Sequence, residues 1–388
     1  MANPFTPGNG IEPAFLAGRE EQITEFVKSL RATEEGLPRN TVLYGLRGTG
    51  KTVLLRHYKL IAESNNWLVL SREFLERYSD EKEFGEAFGK DLAEVASETS
   101  IKKKLAETGK MLFDLLKPEE LSAYGIKYKP YYTDRKEILE DYVADLLQSN
   151  WPVFEKAGKK GVIFLYDEFH LVTDKKEDKQ YVLSSLLSAF SKVQREGLKY
   201  YLCLSGLPTL KTNLKEAKTY TERMFIFQKI EYLEASEAEK ALKQPLRKTG
   251  YSFEAPLVER IVSETMGYPY FIQFYGYMLI DGVDKRSISL ADFEKLKSRL
   301  VKSLDQSFFE DRFNSASGME KRVLVAMAKC EGAEAIAATN IARKAKTDYS
   351  KMQYILLRLI DKGLIYRSHR GYYAFSIPLF KGYLLRQS

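Results

Sequence analysis

The chain has 388 residues, 44% of them hydrophobic and 29% charged, with a formal net charge of +7. That length exceeds one ordinary core and predicts two or three domains, while no apolar run approaches the ~18 residues that span a bilayer. Two cysteines and three histidines, scattered along the chain, exclude both a disulfide framework and a zinc-ligand spacing.

Cys203 lies inside an apolar run, so buried free thiols and a reducing cytoplasm are expected. The N-terminal Met-Ala-Asn-Pro-Phe-Thr-Pro lacks the charged and apolar regions of a secretory signal. The charge is segregated. Met319–Ser388 holds thirteen Lys+Arg against five Asp+Glu, net +8, whereas the other 318 residues hold 47 against 48. A polyanion partner is therefore expected at the C-terminal end.

In chain order, a Pro/Gly-rich arm precedes a helix predicted over Glu20–Thr33. Strands are predicted at Thr41–Tyr44, Trp67–Leu70, Val162–Tyr166, Tyr200–Leu204 and Met224–Ile230, separated by helices such as Lys51–Ser64, Leu183–Glu196 and Thr209–Lys218. Such alternation argues for an α/β fold, a parallel sheet with helices on both faces. Phe74–Gly161 is a long, mostly helical insert (about 74–160) that matches no motif, and its Lys102-Lys103-Lys104 run reads as a solvated helix face. After Glu237 the strands stop. Ala235–Lys248, Pro256–Thr265, Tyr268–Asp281 and Leu290–Phe309 read as a four-helix domain, and Asp311–Gly318 as a linker. Three short helices follow, at Met319–Lys329, Thr339–Ala345 and Ser350–Lys362. Strands Leu364–Ser368 and Tyr372–Ser376 then flank a tight Arg-Gly turn before a last helix. The expected domains are 1–232, 233–312 and 313–388.

Gly45-Leu46-Arg47-Gly48-Thr49-Gly50-Lys51-Thr52, between an apolar strand and Val53-Leu54-Leu55, is a P-loop in its proper strand-to-helix setting. Glycines Gly45, Gly48 and Gly50, with Thr49 and Val53, let backbone amides curl around a phosphate. Lys51 reaches the β/γ oxygens, and Thr52 offers a hydroxyl to Mg²⁺. ATP/ADP and Mg²⁺ are the ligands this implies. Val162–Tyr166 ends in Asp167-Glu168, and it is expected to run beside the first strand with its carboxylates facing the phosphates. Asp167 then serves the Mg²⁺ shell, and Glu168 orients and deprotonates the attacking water. His170, one turn on, reads as supporting or structural. Ser205, ending the next buried strand, either senses the γ-phosphate or caps the strand. Arg223, just before the last strand, is either an arginine finger for a neighbouring subunit's nucleotide or a surface ion-pair partner.

Together these residues resemble the AAA+ P-loop ATPases, in the branch of the Orc/Cdc6-type initiators and the STAND signalling ATPases. Ala17-Gly18-Arg19-Glu20 resembles their Gly-Arg-Glu box, which implies that Arg19 lies near the adenine. Met266-Gly267-Tyr268-Pro269-Tyr270 resembles the Gly-x-Pro motif of the helical lid, whose proline, here Pro269, lies on the base. The initiators usually carry a lid arginine at this point, and this chain does not, which tilts the resemblance towards STAND and archaeal-type ATPases.

The last seventy residues resemble a winged helix. Met352, Ile355, Leu356, Leu359 and Ile360 form one apolar stripe at helical period, and Lys351, Tyr354 and Arg358 line another face of the same helix. Those three side chains, with Arg367, His369 and Arg370 on the hairpin, are the expected contacts to duplex DNA. A winged helix that holds the ATPase shut by intramolecular contact is the alternative. The sequence thus leaves two readings: a DNA-associated ATP switch of initiator, loader or transposition-regulator type, or a STAND-like signalling or anti-phage defence ATPase with a protein partner. Homo-oligomerisation, or a partner protein sharing the arginine finger, is expected, and a membrane is not. A small-molecule kinase would lack the helical domain and the winged helix.

Overall fold

A computed structural model describes residues 3–8, 10–101, 131, 138–330 and 335–387. The lysine run at 102–104 lies outside them. The first unit is built on α1 (Glu20–Glu34), β1 (Asn40–Tyr44), α2 (Lys51–Ser64), β2 (Leu68–Glu73), α3 (Glu81–Ile101), α4 (Leu139–Lys156), β3 (Val162–Asp167), α5 (Val182–Arg195), β4 (Tyr200–Gly206), α6 (Thr209–Ala217), α7 (Thr221–Met224) and β5 (Phe225–Lys229). All strand pairs are parallel and the order is β2-β3-β4-β1-β5. Every residue of β3 and β4 is buried, as strands covered by helices on both faces require, while the edge strands β2 and β5 are only partly covered.

One expectation about this sheet fails. The strand ending in Asp167 does not run beside β1, because β4 lies between them. Strand neighbours are set by long-range pairing, which a local pattern of apolar residues does not encode. Polar groups inside the core fix the register instead. The Asn40 and Gln194 side-chain amides bond each other at 3.1 and 2.9 Å, while Asn40 Oδ1 accepts the Leu202 amide and Gln194 Nε2 donates to the Tyr200 carbonyl. Thr41 Oγ1 and the Tyr201 hydroxyl are 2.6 Å apart. A buried network satisfied at every member tolerates a single alignment. Cys203, in the middle of β4, is a free, fully buried thiol whose pKa burial pushes up.

The chain divides into two compact units. The sheet and its helices form Arg19–Gly45 with Lys51–Ile230. Met1–Gly18 and Leu46–Gly50 group with Glu231–Ser388. This second unit holds α8 (Ala235–Lys243), β6 (Ser252–Phe253), α9 (Ala255–Thr265), α10 (Pro269–Gly282), β7 (Ser287–Ile288), α11 (Leu290–Leu304), α12 (Glu310–Asn314) and α13 (Gly318–Ala328). After these come β8 (Ile336–Ala337), α14 (Ala338–Ala345), α15 (Tyr349–Asp361), β9 (Ile365–His369), β10 (Tyr372–Phe375) and α16 (Phe380–Arg386). The first half of the stretch read as a linker, Asp311–Asn314, is helical. A π-turn at Asp305–Phe309 continues into α12, and Phe309 stacks on Phe380 and Tyr383 with ring centroids 5.6 and 5.4 Å apart. One apolar core therefore runs from the four-helix region into the C-terminal segment. The N-terminal arm joins that core through Phe5, whose ring lies where a Cβ on Gly276 would be, 2.6 Å away.

Within the C-terminal segment a three-stranded antiparallel sheet, β8-β10-β9, accompanies α13, α14 and α15. The two-residue β8 is too short to show as a sequence pattern. Ser317 and Glu320 form a capping box at the start of α13. The Glu320 carboxylate, 2% exposed, also takes Lys362 Nζ at 2.6 Å and Arg358 Nε at 2.9 Å. Burial alone would raise its pKa, but the Lys362 bond, the Ser317 amide and the Arg358 charge outweigh burial and hold it below the usual carboxylate range.

The linkage sign follows. A depressed folded-state pKa makes the ionised carboxylate a stabilising group above the ordinary carboxylate pKa, and that contribution is lost as the pH falls through the folded value. Glu320→Gln is expected to lower stability at neutral pH by about 1–3 kcal/mol, the usual worth of hydrogen bonds to a charged group, and to flatten the acid limb of the stability profile. Urea unfolding at pH 7 and pH 4 checks both, and equal losses at the two pH values would remove the ionic explanation.

Candidate nucleotide site

The geometry is set by the carboxyl ends of β1, β3 and β4. β3 ends at Asp167, which is 8% exposed, and three donors hold its carboxylate. Thr52 Oγ1, in the first turn of α2, donates to Oδ2 at 2.5 Å. The Ser205 hydroxyl donates to Oδ1 at 2.7 Å, and the Glu168 backbone amide donates to Oδ1 at 2.9 Å. Because β4 lies between β1 and β3, its last residues touch both neighbours. Ser205 reaches Asp167, while the Gly206 carbonyl accepts the Gly45 amide at 3.2 Å and so carries the start of the P-loop. Ser205, read as a γ-phosphate sensor or a strand cap, is fully buried, and its hydroxyl bonds the Asp167 carboxylate.

Lys51 opens α2. Its ammonium group is largely buried and donates to the Gly45 carbonyl at 3.0 Å, across its own loop. Val53 follows, half-buried, in the same first turn. Glu168 has φ 52° and ψ 26°, the left-handed region, which costs an acidic residue about 1–3 kcal/mol and persists only where its surroundings fix it. Its carboxylate is partly exposed and lies 3.5 Å from Nδ1 of the buried His170. Arg19, just before α1, is buried, and burial lowers its pKa against the charges of Glu20 and Tyr58.

Arg223 is elsewhere. It sits at the amino end of β5, the opposite end of the sheet from the residue after β1, exposed on a cleft of about 700 Å³ that Arg195, Gln194 and Tyr220 also line. The structure thus brings together Lys51, Thr52, Asp167, Glu168 and Ser205 and separates Arg223 from them.

The P-loop crest, Leu46–Gly50, groups with the second unit. Thr49 Oγ1 donates to the Leu46 carbonyl at 3.0 Å. Gly48 (φ +76°) needs glycine twice over, since a Cβ there would meet the Tyr268 hydroxyl at 1.9 Å. Gly50 (φ +94°) has open space at the same position. The Arg47 side chain lies against Gly363, 2.5 Å from where a Cβ would be. Pro269 starts α10, and before it the Gly267 carbonyl accepts the Leu233 amide at 2.8 Å. Tyr268 is fully buried, which pushes its phenol up against the opposing Arg312 and Arg47 charges. Arg47 and Tyr268 were singled out by no sequence reading. One occupies a variable position of the P-loop pattern and the other the variable position of Gly-x-Pro, so their residue types carried no signal.

The nucleic-acid candidates Lys351, Tyr354, Arg358, Arg367, His369 and Arg370 are all exposed, on α15 and on the β9–β10 hairpin. Arg358 is the exception in availability, because Glu320 already engages its guanidinium. The ring of His369 stacks on Tyr372 at 4.1 Å.

The donor set fits a hard cation with a polyphosphate. Thr52 and Asp167 supply one hydroxyl and one carboxylate, and among the described residues no group of three or more His, Cys, Asp or Glu gathers into a metal site of its own. Mg²⁺ is ordinarily held this way, by one or two protein oxygens with phosphate and water oxygens completing the octahedron. No helix among the described residues is long and apolar enough to cross a membrane.

Comparison with known proteins agrees with this geometry. The family model of the AAA ATPase domain matches residues 16–202, and a domain of unknown function (DUF8462) matches residues 306–384. No curated protein matches the sequence. Among solved structures the chain is similar to a Walker-type ATPase of Pyrococcus abyssi, at 16% identity and a TM-score of 0.59 over 95% of this chain and 96% of that one. Weaker similarities include the Orc1 protein of Aeropyrum pernix in complex with DNA (14% identity, TM-score 0.46, 97% and 94% covered). Another is Cdc6p of Pyrobaculum aerophilum (13% identity, TM-score 0.44, 97% and 95% covered). The parallel five-stranded sheet with its flanking helices matches the fold of a P-loop NTPase of AAA+ type, and residues 16–202 are similar to the AAA ATPase domain.

Proposed function

We propose that the chain binds and hydrolyses ATP as a AAA+ switch, and that its C-terminal segment, read as a winged helix, contacts duplex DNA. The observation that carries the hydrolytic part is the Asp167 carboxylate. It is fixed by Thr52 and Ser205 at the strand ends, with Lys51 one residue before Thr52 and Glu168 one residue after Asp167.

In this reading Thr52 and Asp167 would hold Mg²⁺, which would supply neutralisation of phosphate charge. The remaining work belongs to the chain. Lys51 and the amides at the start of α2 bind the phosphates, with the positive end of the helix adding to the attraction. Ser205 keeps Asp167 in one orientation. Glu168 takes a proton from the attacking water as the water oxygen bonds to the γ-phosphorus and the bridging bond to ADP breaks. Arg223 is assigned to a neighbouring copy's nucleotide, since it lies at the far end of its own sheet.

Support for DNA contact is the +8 charge of the last seventy residues and the exposure of Lys351, Tyr354, Arg367 and Arg370 on one helix and one hairpin. Initiator, loader and transposition-regulator roles all fit that chemistry. One observation favours a second reading, a signalling or defence ATPase whose C-terminal segment acts within the chain. That segment shares its core with the helical region, and the Tyr232 hydroxyl donates to the Ser376 carbonyl at 2.6 Å. ATPase assays with and without duplex DNA separate the two, because stimulation by DNA supports the first and indifference the second.

Glu168→Gln is expected to bind ATP normally and to hydrolyse it at least ~100-fold more slowly. Turnover equal to the parent's would assign the base elsewhere. Arg223→Ala chains should also be slow, and mixing them with Glu168→Gln chains should restore part of the turnover, since some interfaces then pair an intact arginine with an intact glutamate. An absence of restoration counts against a shared site. For DNA, the double variant Lys351→Ala/Arg370→Ala should lower the slope of log affinity against log salt by about two, one per phosphate contact. A slope equal to the parent's would move the contact to another face.

A further inference from the structure

Glu168 holds a carboxylate directly after the end of β3. Its backbone is left-handed (φ 52°), and its side chain is about a quarter exposed. A general base needs more than a suitable charge, since the oxygen that accepts the proton must stay within hydrogen-bond reach of one water. The chain behind Glu168 meets that need in a specific way.

Phe169–Leu171 form a single tight turn, closed by the Leu171 amide donating to the Glu168 carbonyl at 3.1 Å. Phe169 anchors the turn in an aromatic cluster, 4.9 Å from Phe74 and 5.5 Å from Tyr166 between ring centroids. The turn folds His170 back alongside Glu168, with Nδ1 and Oε2 3.5 Å apart, and buries the imidazole.

Two elements then clamp His170. Asn213 of α6 donates from Nδ2 to the His170 carbonyl at 3.0 Å. Gly206, the last residue of β4, lies so close that a Cβ there would come within 3.0 Å of both the His170 Cβ and its amide nitrogen. Gly206 is also the residue that carries the P-loop start, and its neighbour Ser205 holds Asp167. The imidazole is thus referenced to the same strand end as the phosphate loop and the carboxylate of Asp167.

We propose that His170 is the positioning residue of the general base: clamped by Gly206 and Asn213, its imidazole fixes the direction of the Glu168 carboxylate. His170 touches neither phosphate nor water in this account and acts only through Glu168. The inference rests on the reading that Glu168 activates the water, and the test keeps the two apart.

ATP turnover and nucleotide affinity are measured for the parent, Glu168→Gln, His170→Gln, His170→Met and the double variant His170→Met/Glu168→Gln, with melting temperatures alongside. Gln keeps a donor at this place and Met fills similar volume without one. His170→Met is expected to lower kcat about 10–100-fold, the range typical of residues that orient a functional ligand from behind, with affinity unchanged within about twofold. His170→Gln is expected to recover most of the loss. In the Glu168→Gln background His170→Met should cost nothing further, because residues acting as one unit are non-additive. Equal loss in both backgrounds, equal activity of the Gln and Met variants, or a His170→Met protein with parental kcat each overturns the proposal. Parental turnover of Glu168→Gln would instead overturn the underlying assignment of the base. A His170→Met protein that does not fold leaves the comparison to His170→Gln alone and in the Glu168→Gln background, where additive losses count against the proposal and non-additive ones for it.

Discussion

A single carboxylate organises the sheet's active edge. Asp167 accepts Thr52 on one oxygen and both Ser205 and the Glu168 amide on the other. Each bond ties β3 to a different piece of chain, namely the first turn of α2, the end of β4 and the residue that follows β3 itself. A carboxylate held by donors on both oxygens has little freedom to rotate, so its oxygens are fixed relative to the first turn of α2. The order β3-β4-β1 is what makes this possible. With β4 in the middle, one strand end serves the carboxylate through Ser205 and the phosphate loop through Gly206.

Strain and support are distributed around that edge in a consistent way. Glu168 takes the left-handed conformation that a non-glycine residue avoids, and the turn after it is pinned by a buried phenylalanine. The Asn40–Gln194 pair and the Thr41–Tyr201 contact fix the register farther back in the same strands, so strand ends that must agree to within an ångström are set by polar groups in the interior. Apolar packing would tolerate a slip that these hydrogen bonds do not. In the second unit the same division holds on a larger scale. A continuous apolar core joins the helical region to the C-terminal segment, and Glu320 with Lys362 and Arg358 fixes where α13 meets α15.

Much of this was legible in the sequence because it is local. The five strands and their helices follow from apolar runs and period, and α2 spans Lys51–Ser64 as its pattern predicts. The P-loop and the Asp-Glu strand end are short motifs whose chemistry is carried by contiguous residues. What failed was non-local. The neighbour of β1 was misassigned, since its pairing with β4, about 160 residues later in the chain, leaves no local trace. The stretch Asp311–Gly318 looked like a linker from its polar composition, yet its Phe313, partly buried, packs against Tyr383 at the edge of the core. Arg358 looked available on a helix face, and its partner Glu320 comes from a helix 38 residues earlier. Tyr268 and Arg47 fill variable positions of their motifs, Asn213 belongs to none, and all three were found only through what they touch.

The most direct test of the central role of Asp167 is calorimetric titration of ATP with and without Mg²⁺ into the parent and Asp167→Asn proteins. The account predicts that Asn, which keeps the shape and loses the charge, abolishes the Mg²⁺-dependent gain in affinity while leaving the metal-independent binding through Lys51 within about twofold. An Asp167→Asn protein whose affinity rises with Mg²⁺ as much as the parent's would contradict it.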